Sequence, residues 1–223
     1  MLVKICGLSN AIDAEVAVLN GADALGFVMG GRVLPVEVEP TAQLVREIIK
    51  TVPANVDTFL VTHLFDPKDI LDLATYINSS GIQVSEDIGF EELKSLRSKT
   101  DKKIIKTVVV NNEDAIEKLK GYEENCDYIL LDTRFGGYTG GTGVVNDWTV
   151  CNELVKISKK PIYLAGGLNP ENLPEALSKT IPAGVDVSTG ISTFSPKYLR
   201  KDRKDESKIK EFIHIAKTYE KTK

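Results

Sequence analysis

A cysteine and an aspartate each end a short apolar run, in positions where they could act as a base and an acid. Cys6 ends "LVKIC" and Asp132 ends "DYILLD". If both runs are strands of one parallel barrel, their carboxyl ends meet at one pocket and could exchange protons with a substrate. Other interpretations stay open, because a lone buried cysteine is often just a small apolar side chain. Lys4 would share a face with Cys6, and could favour its thiolate, if the strand is regular.

Three glycine-rich stretches follow later apolar runs and could approach an anion closely. They read "GGYTGGTG" at 136–143, "LAGGLNPENL" at 164–173 and "VDVSTGIS" at 185–192. Backbone N–H groups in such loops bind phosphate, and barrels commonly hold a phosphate after strands seven and eight. One such stretch would be an ordinary turn, whereas three in consecutive loops predict a phosphate site. The predicted substrate-binding residues here are Gly140, Gly141, Gly166, Gly167, Asp186, Ser188, Thr189 and Gly190.

Eight short apolar runs alternate with eight amphipathic stretches of helical length. The runs are "LVKIC", "ALGFVM", "DTFLVT", "IQVS", "KIIKTVVV", "DYILLD", "PIYLAG" and "GVDVS". Ser9 or Asn10 could cap the first helix, and Asn146 could cap the helix that starts near Trp148. Strict alternation implies parallel strands with right-handed crossovers, and eight units close most naturally into an α/β fold of the (β/α)₈ TIM barrel type. We predict one such domain over residues 1–223, with an open doubly wound sheet as the competing arrangement.

The overall composition favours a small-molecule partner. The chain has 223 residues, of which 42% are hydrophobic, and a formal net charge of -4, which gives no electrostatic reason to bind nucleic acid or an anionic membrane. Neither a membrane-spanning run nor a leader peptide is recognisable, so we expect a cytoplasmic protein. Three cysteines at unrelated spacings favour neither a disulfide framework nor a metal site.

Several motifs, in their order along the chain, resemble the phosphoribosylanthranilate isomerases of tryptophan biosynthesis. They are "VKICGL" at 3–8, "GADALGFV" at 21–28, "LLDT" at 130–133, "GGTG" at 140–143 with "DW" at 147–148, "LAGGLNPENL" at 164–173 and "GVDVSTG" at 184–190. The resemblance covers nearly the whole chain. It implies a barrel that needs no metal or other cofactor and whose catalytic pair falls on Cys6 and Asp132.

The resemblance also implies a reaction, the Amadori rearrangement of an N-linked phosphoribosyl anthranilate to the 1-deoxyribulose. Asp132 would act as the general acid that opens the furanose ring, and Cys6 as the thiolate that removes the C2 proton. The family includes monomers and dimers, so either a monomer or a homodimer is expected.

Two stretches depart from the family pattern. The arginine that would meet the anthranilate carboxylate can only be Arg32, within the altered "GFVMGGRVLP", and a solvated loop arginine is the alternative. After strand four the chain reads "QVSE", which keeps Gln83 as a substrate contact but replaces the usual histidine and glycine by Ser85 and Glu86. His63, after strand three, is expected to be a polar residue of the rim.

A charged segment at about 194–203 is predicted to be an enlarged loop after strand eight. It is either a solvated connector or a lid whose positive charges approach the phosphate, these being Lys197, Arg200, Lys201 and Arg203. Two alternative functions are kept open at this point. One is a paralogous isomerase acting on another phosphorylated ribosyl amine, and the other is a phosphate-binding barrel without catalysis.

Overall fold

A closed barrel of eight parallel strands forms the centre of the protein. The computed structural model describes residues 1–31, 40–110, 113–135, 138–139, 146–195 and 200–219. The barrel strands are β1 (Leu2–Ile5), β2 (Ala24–Met29), β3 (Asp57–Thr62), β4 (Gly81–Val84), β5 (Lys103–Val109), β6 (Tyr128–Asp132), β9 (Ile162–Leu164) and β10 (Gly184–Val187). Their order around the barrel is β1, β10, β9, β6, β5, β4, β3, β2, and β2 pairs with β1 to close the ring. The predicted (β/α)₈ barrel is confirmed, and the open sheet is excluded.

Two short antiparallel pairs extend from the loops that follow β6 and β10. The loop after β6 contains β7 (Arg134–Phe135) and β8 (Tyr138–Thr139), and the segment after β10 contains β11 (Ser192–Ser195) and β12 (Arg200–Lys204). The second pair occupies the charged segment that was predicted to be an enlarged loop. We refer to this antiparallel pair of β11 and β12 as the hairpin; it lies on the side of the barrel where the strands end.

Eight α-helices surround the strands in the described residues. They are α1 (Ala11–Leu19), α2 (Ala42–Thr51), α3 (Pro67–Ile77), α4 (Phe90–Arg97), α5 (Ala115–Tyr122), α6 (Trp148–Ile157), α7 (Leu173–Lys179) and α8 (Glu206–Thr218). Asn10 caps α1 by accepting a hydrogen bond from the Asp13 N–H group, as predicted. The predicted cap of α6 is wrong, because Asp147 accepts from the Thr149 and Val150 N–H groups. Every helix in the described residues is too short or too polar to cross a bilayer.

Strand alternation divides the core into an outer and an inner layer. The outer layer lies between strands and helices and includes Val3 and Ile5 of β1. The inner layer fills the barrel and contains Cys6, Ala24, Phe59, Val61, Ile105, Leu130, Tyr163 and Ala165. Because successive side chains of a strand point to opposite faces, Lys4 and Cys6 both point into the barrel. The strand is therefore regular here, as an interaction between Lys4 and Cys6 requires.

Candidate active site

Cys6 lies at the carboxyl end of β1, enclosed by the barrel. Its N–H group donates to the Val187 carbonyl at 2.9 Å, which extends the β1 and β10 ladder by one residue. The residue is only 5% exposed. A Cβ atom on Gly26 of the neighbouring strand would lie 2.8 Å from the sulfur. Glycine at that position therefore leaves the space that the thiol occupies.

Lys4 and Asp186 form a buried ion pair next to this thiol. The two residues are register partners across β1 and β10, and the Lys4 Nζ atom lies 2.6 Å from Asp186 Oδ1. A Cβ atom on Gly26 would lie 3.0 Å from Lys4 Nζ as well as 2.8 Å from Cys6 Sγ, so the ammonium group and the thiol are neighbours. Burial lowers the pKa of Lys4, but the opposing effects of Asp186 and Cys6 together exceed it, and the net pKa is raised. The ammonium form of Lys4 is therefore maintained inside the barrel.

Asp132 is the last residue of β6 and has a strongly perturbed carboxyl group. Its Oδ1 atom accepts the Thr133 N–H group at 2.7 Å. Burial raises the pKa of Asp132 to about 7, with Asp186 adding to the increase and the Thr133 N–H group and Lys4 opposing it. A carboxyl group that is half protonated near neutral pH can donate a proton to a substrate.

The Cys6 thiol is held mainly in its neutral form by its surroundings. Burial raises its pKa to about 11, while Lys4 and Lys204 lower it and Asp186 raises it further. Two ammonium groups therefore oppose the effect of burial. Thiolate formation at this position depends on the charges that surround it.

A small cavity of about 30 Å³ lies beside Asp132 at the ends of β9 and β10. It brings together six of the residues predicted from sequence: Asp132, Gly166, Gly167, Asp186, Ser188 and Thr189. The other lining residues are Ala165, Leu168 and Val187. The predicted acid and the loops predicted to bind phosphate are thus adjacent in space.

Glycine is required at two kinds of position in these loops. Gly166 and Gly167 have φ angles of +82° and +65°, in the left-handed region that residues with side chains rarely adopt. At Gly190, a Cβ atom would lie 1.9 Å from the Leu168 carbonyl oxygen. Gly190 therefore allows the loops after β9 and β10 to pack on each other.

Lys204, at the end of β12, was missed by the sequence analysis. Its ammonium group donates to the Ser188 carbonyl at 3.1 Å and to Ser192 Oγ at 3.0 Å, and the residue is 9% exposed. Arg203, which the sequence offered either to a solvated connector or to a lid over the phosphate, pairs with Asp13 of α1 at 3.0 Å. Adjacent residues of a strand point to opposite faces, so Arg203 and Lys204 contact different parts of the protein. This difference was not anticipated because the hairpin was not predicted.

The remaining predicted positions lie elsewhere or outside the described residues. Arg32, Gly140, Gly141 and Lys197 fall outside them, as do the side chains of Arg200 and Lys201. Gln83 is buried in β4, where its amide group donates to Ser85 Oγ at 3.4 Å. Among the described residues, its Oε1 atom has no hydrogen-bond partner. A buried acceptor without a partner suits a polar ligand group.

His63 and Glu86 contact each other at the ends of β3 and β4. The His63 Nδ1 atom lies 3.0 Å from Glu86 Oε1, and the side chains are 9% and 15% exposed. His63 therefore contacts Glu86 at the mouth of the barrel, and its role as a polar rim residue stays a prediction. In the described part of the chain, no group of three or more His, Cys, Asp or Glu side chains is arranged to hold a metal ion.

A thiol, a carboxyl group of raised pKa and glycine loops lie together at the carboxyl ends of parallel strands, which is the arrangement of a (β/α)₈ barrel enzyme. The sequence model of the family described as N-(5'-phosphoribosyl)anthranilate (PRA) isomerase matches residues 3–214. The protein belongs to this family.

Individual relatives agree with this assignment. An N-(5'-phosphoribosyl)anthranilate isomerase of Methanosarcina acetivorans is 34% identical over 95% of this chain and 91% of its own length. A crystal structure of phosphoribosyl anthranilate isomerase in complex with reduced 1-(o-carboxyphenylamino)-1-deoxyribulose 5-phosphate is 32% identical, with a TM-score of 0.81 over 98% of this chain and 100% of that one. Monomers generated from the dimeric Thermotoga maritima enzyme are 31% identical, with a TM-score of 0.80 over 98% of this chain and 100% of that one.

Proposed function

We propose that this protein converts N-(5'-phosphoribosyl)anthranilate to 1-(o-carboxyphenylamino)-1-deoxyribulose 5-phosphate by an Amadori rearrangement that uses no cofactor. The observation that carries the proposal is the placement of Cys6 and Asp132 at strand ends on either side of β9 and β10, whose loops contain the glycines. Membership of the family supports the same substrate. The reaction belongs to tryptophan biosynthesis, and we place the protein in the cytoplasm.

The phosphate subsite is assigned to the loops after β9 and β10. Gly167, Ser188 and Thr189 line the cavity there, and Thr189 begins a short 3₁₀ helix, Thr189–Ile191. Backbone N–H groups at such a turn suit an anion, which explains a phosphate site with little charge in its own loops. Gly140 and Gly141 are assigned to the same subsite from the family motif. Lys204 contributes positive charge from behind Ser188.

Asp132 acts as the general acid in this proposal. Its proton passes to the furanose ring oxygen as the C1–O bond breaks, and the nitrogen lone pair forms the C=N bond of a protonated Schiff base at C1. The pKa of about 7, caused first by burial, leaves a substantial protonated fraction at neutral pH. The resulting carboxylate is stabilised by the Thr133 N–H group, which already contacts it.

Cys6 acts as the general base in the second step. Its thiolate removes the proton from C2, the electron pair moves to form the enolamine, and tautomerisation gives the ketone. Because the pKa of Cys6 is about 11, the positive charges of Lys4 and Lys204 are needed to make the thiolate accessible. Asp186 is assigned to substrate binding and also keeps Lys4 protonated.

The anthranilate end of the substrate is assigned to the side of the barrel formed by β2 to β4. Gln83 presents a buried amide oxygen without a partner among the described residues, and Arg32 follows the end of β2 in sequence. The protein acts alone or as a homodimer.

The proposal is tested by turnover of freshly prepared substrate, followed as a loss of anthranilate fluorescence. Complementation of a tryptophan auxotroph that lacks this isomerase gives an independent test. We expect both to be positive. Absence of turnover by soluble, folded protein, together with turnover of another phosphorylated ribosyl amine, would instead support the paralogous isomerase.

A further inference from the structure

The His63 and Glu86 pair lies where two adjacent strands leave the barrel. His63 directly follows β3 and Glu86 lies two residues after β4. The Ser85 N–H group donates to the Thr62 carbonyl at 3.0 Å, so the two chains remain side by side beyond the strands. The contact of 3.0 Å between His63 Nδ1 and Glu86 Oε1 therefore joins neighbouring loops of the barrel mouth.

The loop that follows β2 packs directly onto the same histidine. A Cβ atom on Gly31 would lie 2.4 Å from the His63 Cβ atom. Thr62 Oγ1 also donates to the Gly30 carbonyl at 3.3 Å. The ends of three neighbouring strands thus converge on His63, and Arg32 follows Gly31 in the chain.

This position is opposite the phosphate subsite. In the order around the barrel, β3 lies four strands from β9, and β4 lies four strands from β10. With eight strands, that is half of the circumference. The proposed substrate carries its phosphate at one end and a carboxylate on the aromatic ring at the other. A phosphate bound at β9 and β10 therefore directs the ring carboxylate towards β3 and β4.

We propose that His63, oriented by Glu86, binds the anthranilate carboxylate and is a specificity-determining residue. The inference rests on the proposed function. In this proposal Glu86 accepts the Nδ1 proton and fixes the orientation of the ring, and the protonated ring donates its Nε2 proton to the substrate carboxylate. An acid alone at this mouth would repel the substrate carboxylate, and pairing with His63 removes that repulsion. The departure of "QVSE" from the family pattern is thus compatible with an anionic ring substituent.

The inference is tested with two reduced product analogues as competitive inhibitors. One carries the o-carboxyphenylamino group and the other a phenylamino group, and both keep the sugar chain and the phosphate. Inhibition constants are measured for the wild type, His63→Gln, Glu86→Gln and the control His214→Gln, which makes the same change at an exposed residue of α8. Tryptic digestion and thermal melts establish that each variant is folded.

We expect His63→Gln to raise the inhibition constant of the carboxylated analogue by about tenfold, as for loss of one charge-assisted hydrogen bond. The inhibition constant of the phenylamino analogue should not change. Glu86→Gln should act in the same direction and His214→Gln should have no effect. Equal weakening of both analogues, or of neither, contradicts the inference. If His63→Gln does not fold, an unchanged ratio in Glu86→Gln contradicts it. Absence of wild-type turnover contradicts the proposed function, whereas turnover with unchanged selectivity contradicts only the role of His63.

Discussion

The ammonium group of Lys4 lies 2.6 Å from the Asp186 carboxylate across β1 and β10, on the same inward face as Cys6. The side chains are 0% and 9% exposed, so neither charge is compensated by bulk water. The pair places a fixed positive charge beside the proposed base while its own net charge is zero. Its energetic and catalytic consequences can be separated experimentally.

Lys4→Met should destabilise the protein by about 3–5 kcal/mol, because it leaves the Asp186 carboxylate buried without its partner. The double variant Lys4→Met, Asp186→Leu should be less destabilised than the single variant, since no charge is then left uncompensated. Urea unfolding measures both. As a control, Lys103→Met removes a half-exposed pair with Asp57 and should cost no more than about 1 kcal/mol. Similar losses for Lys4→Met and Lys103→Met would show that the buried pair has no special role.

The barrel could be predicted because its strands are apolar runs, whereas the hairpin of β11 and β12 could not. Its sequence is polar and charged, so no period-two pattern of apolar residues marks the strands. Consequently Lys204 was missed, and the sequence left open whether Arg203 belongs to a solvated connector or to a lid. The cap of α6 was misplaced by one residue because Asn146 and Asp147 are both good capping residues. The structure uses the Asn146 amide to bind the Ala165 carbonyl, at 2.7 Å.

The proposed acid and base and the glycine loops were recognised in the sequence as separate motifs, but their electrostatics were not. Lys4 and Asp186 are 182 residues apart in sequence and become partners only when the barrel closes. The contact between His63 and Glu86 likewise depends on the neighbouring positions of β3 and β4. The sequence identified which residues lie near the mouth of the barrel. Their contacts with one another could not be predicted without the register of the strands.

Asp132→Asn should stabilise the protein at pH 8 while it lowers activity. The folded pKa of about 7 exceeds an unfolded value near 4, so the folded state binds more protons between these values and loses stability as the pH rises. Asparagine does not titrate, so the variant does not lose this stability as the pH rises. The variant should gain on the order of 3–4 kcal/mol relative to wild type between pH 4 and pH 8. Urea unfolding at both pH values measures the gain, and a difference independent of pH would contradict the raised pKa.

Lys204→Met should weaken inhibition by inorganic phosphate by about tenfold, because the ammonium group that holds Ser188 is lost. The substitution should also raise the pH at which iodoacetamide alkylates Cys6, because Lys204 lowers the pKa of that thiol. Mass spectrometry identifies the alkylated residue. The control Arg203→Met changes the adjacent residue, which contacts Asp13. This control should alter stability but neither phosphate inhibition nor alkylation. Equal effects of the two substitutions on phosphate inhibition and alkylation would show that Lys204 only stabilises the hairpin.

Gly167→Ala should raise both the KM of the substrate and the inhibition constant of inorganic phosphate. Its φ angle of +65° disfavours any side chain, and it lines the cavity beside Asp132. Gly21→Ala is a matched control, since Gly21 has a φ angle of +94° but lies after α1. Both variants should lose stability, and only Gly167→Ala should lose affinity for phosphate. Unchanged phosphate inhibition in Gly167→Ala would place the anion elsewhere.

The assignment of Asp132 and Cys6 as acid and base is tested most directly by steady-state kinetics of Asp132→Asn and Cys6→Ala with phosphoribosylanthranilate. Each substitution should lower kcat by at least about 100-fold, the usual effect of losing an acid or base. The affinity for the reduced product analogue, measured by titration calorimetry, should stay close to that of the wild type. This combination would show that each side chain acts in the chemical steps and not in binding. Near-normal kcat in either variant would contradict the assignment of that residue.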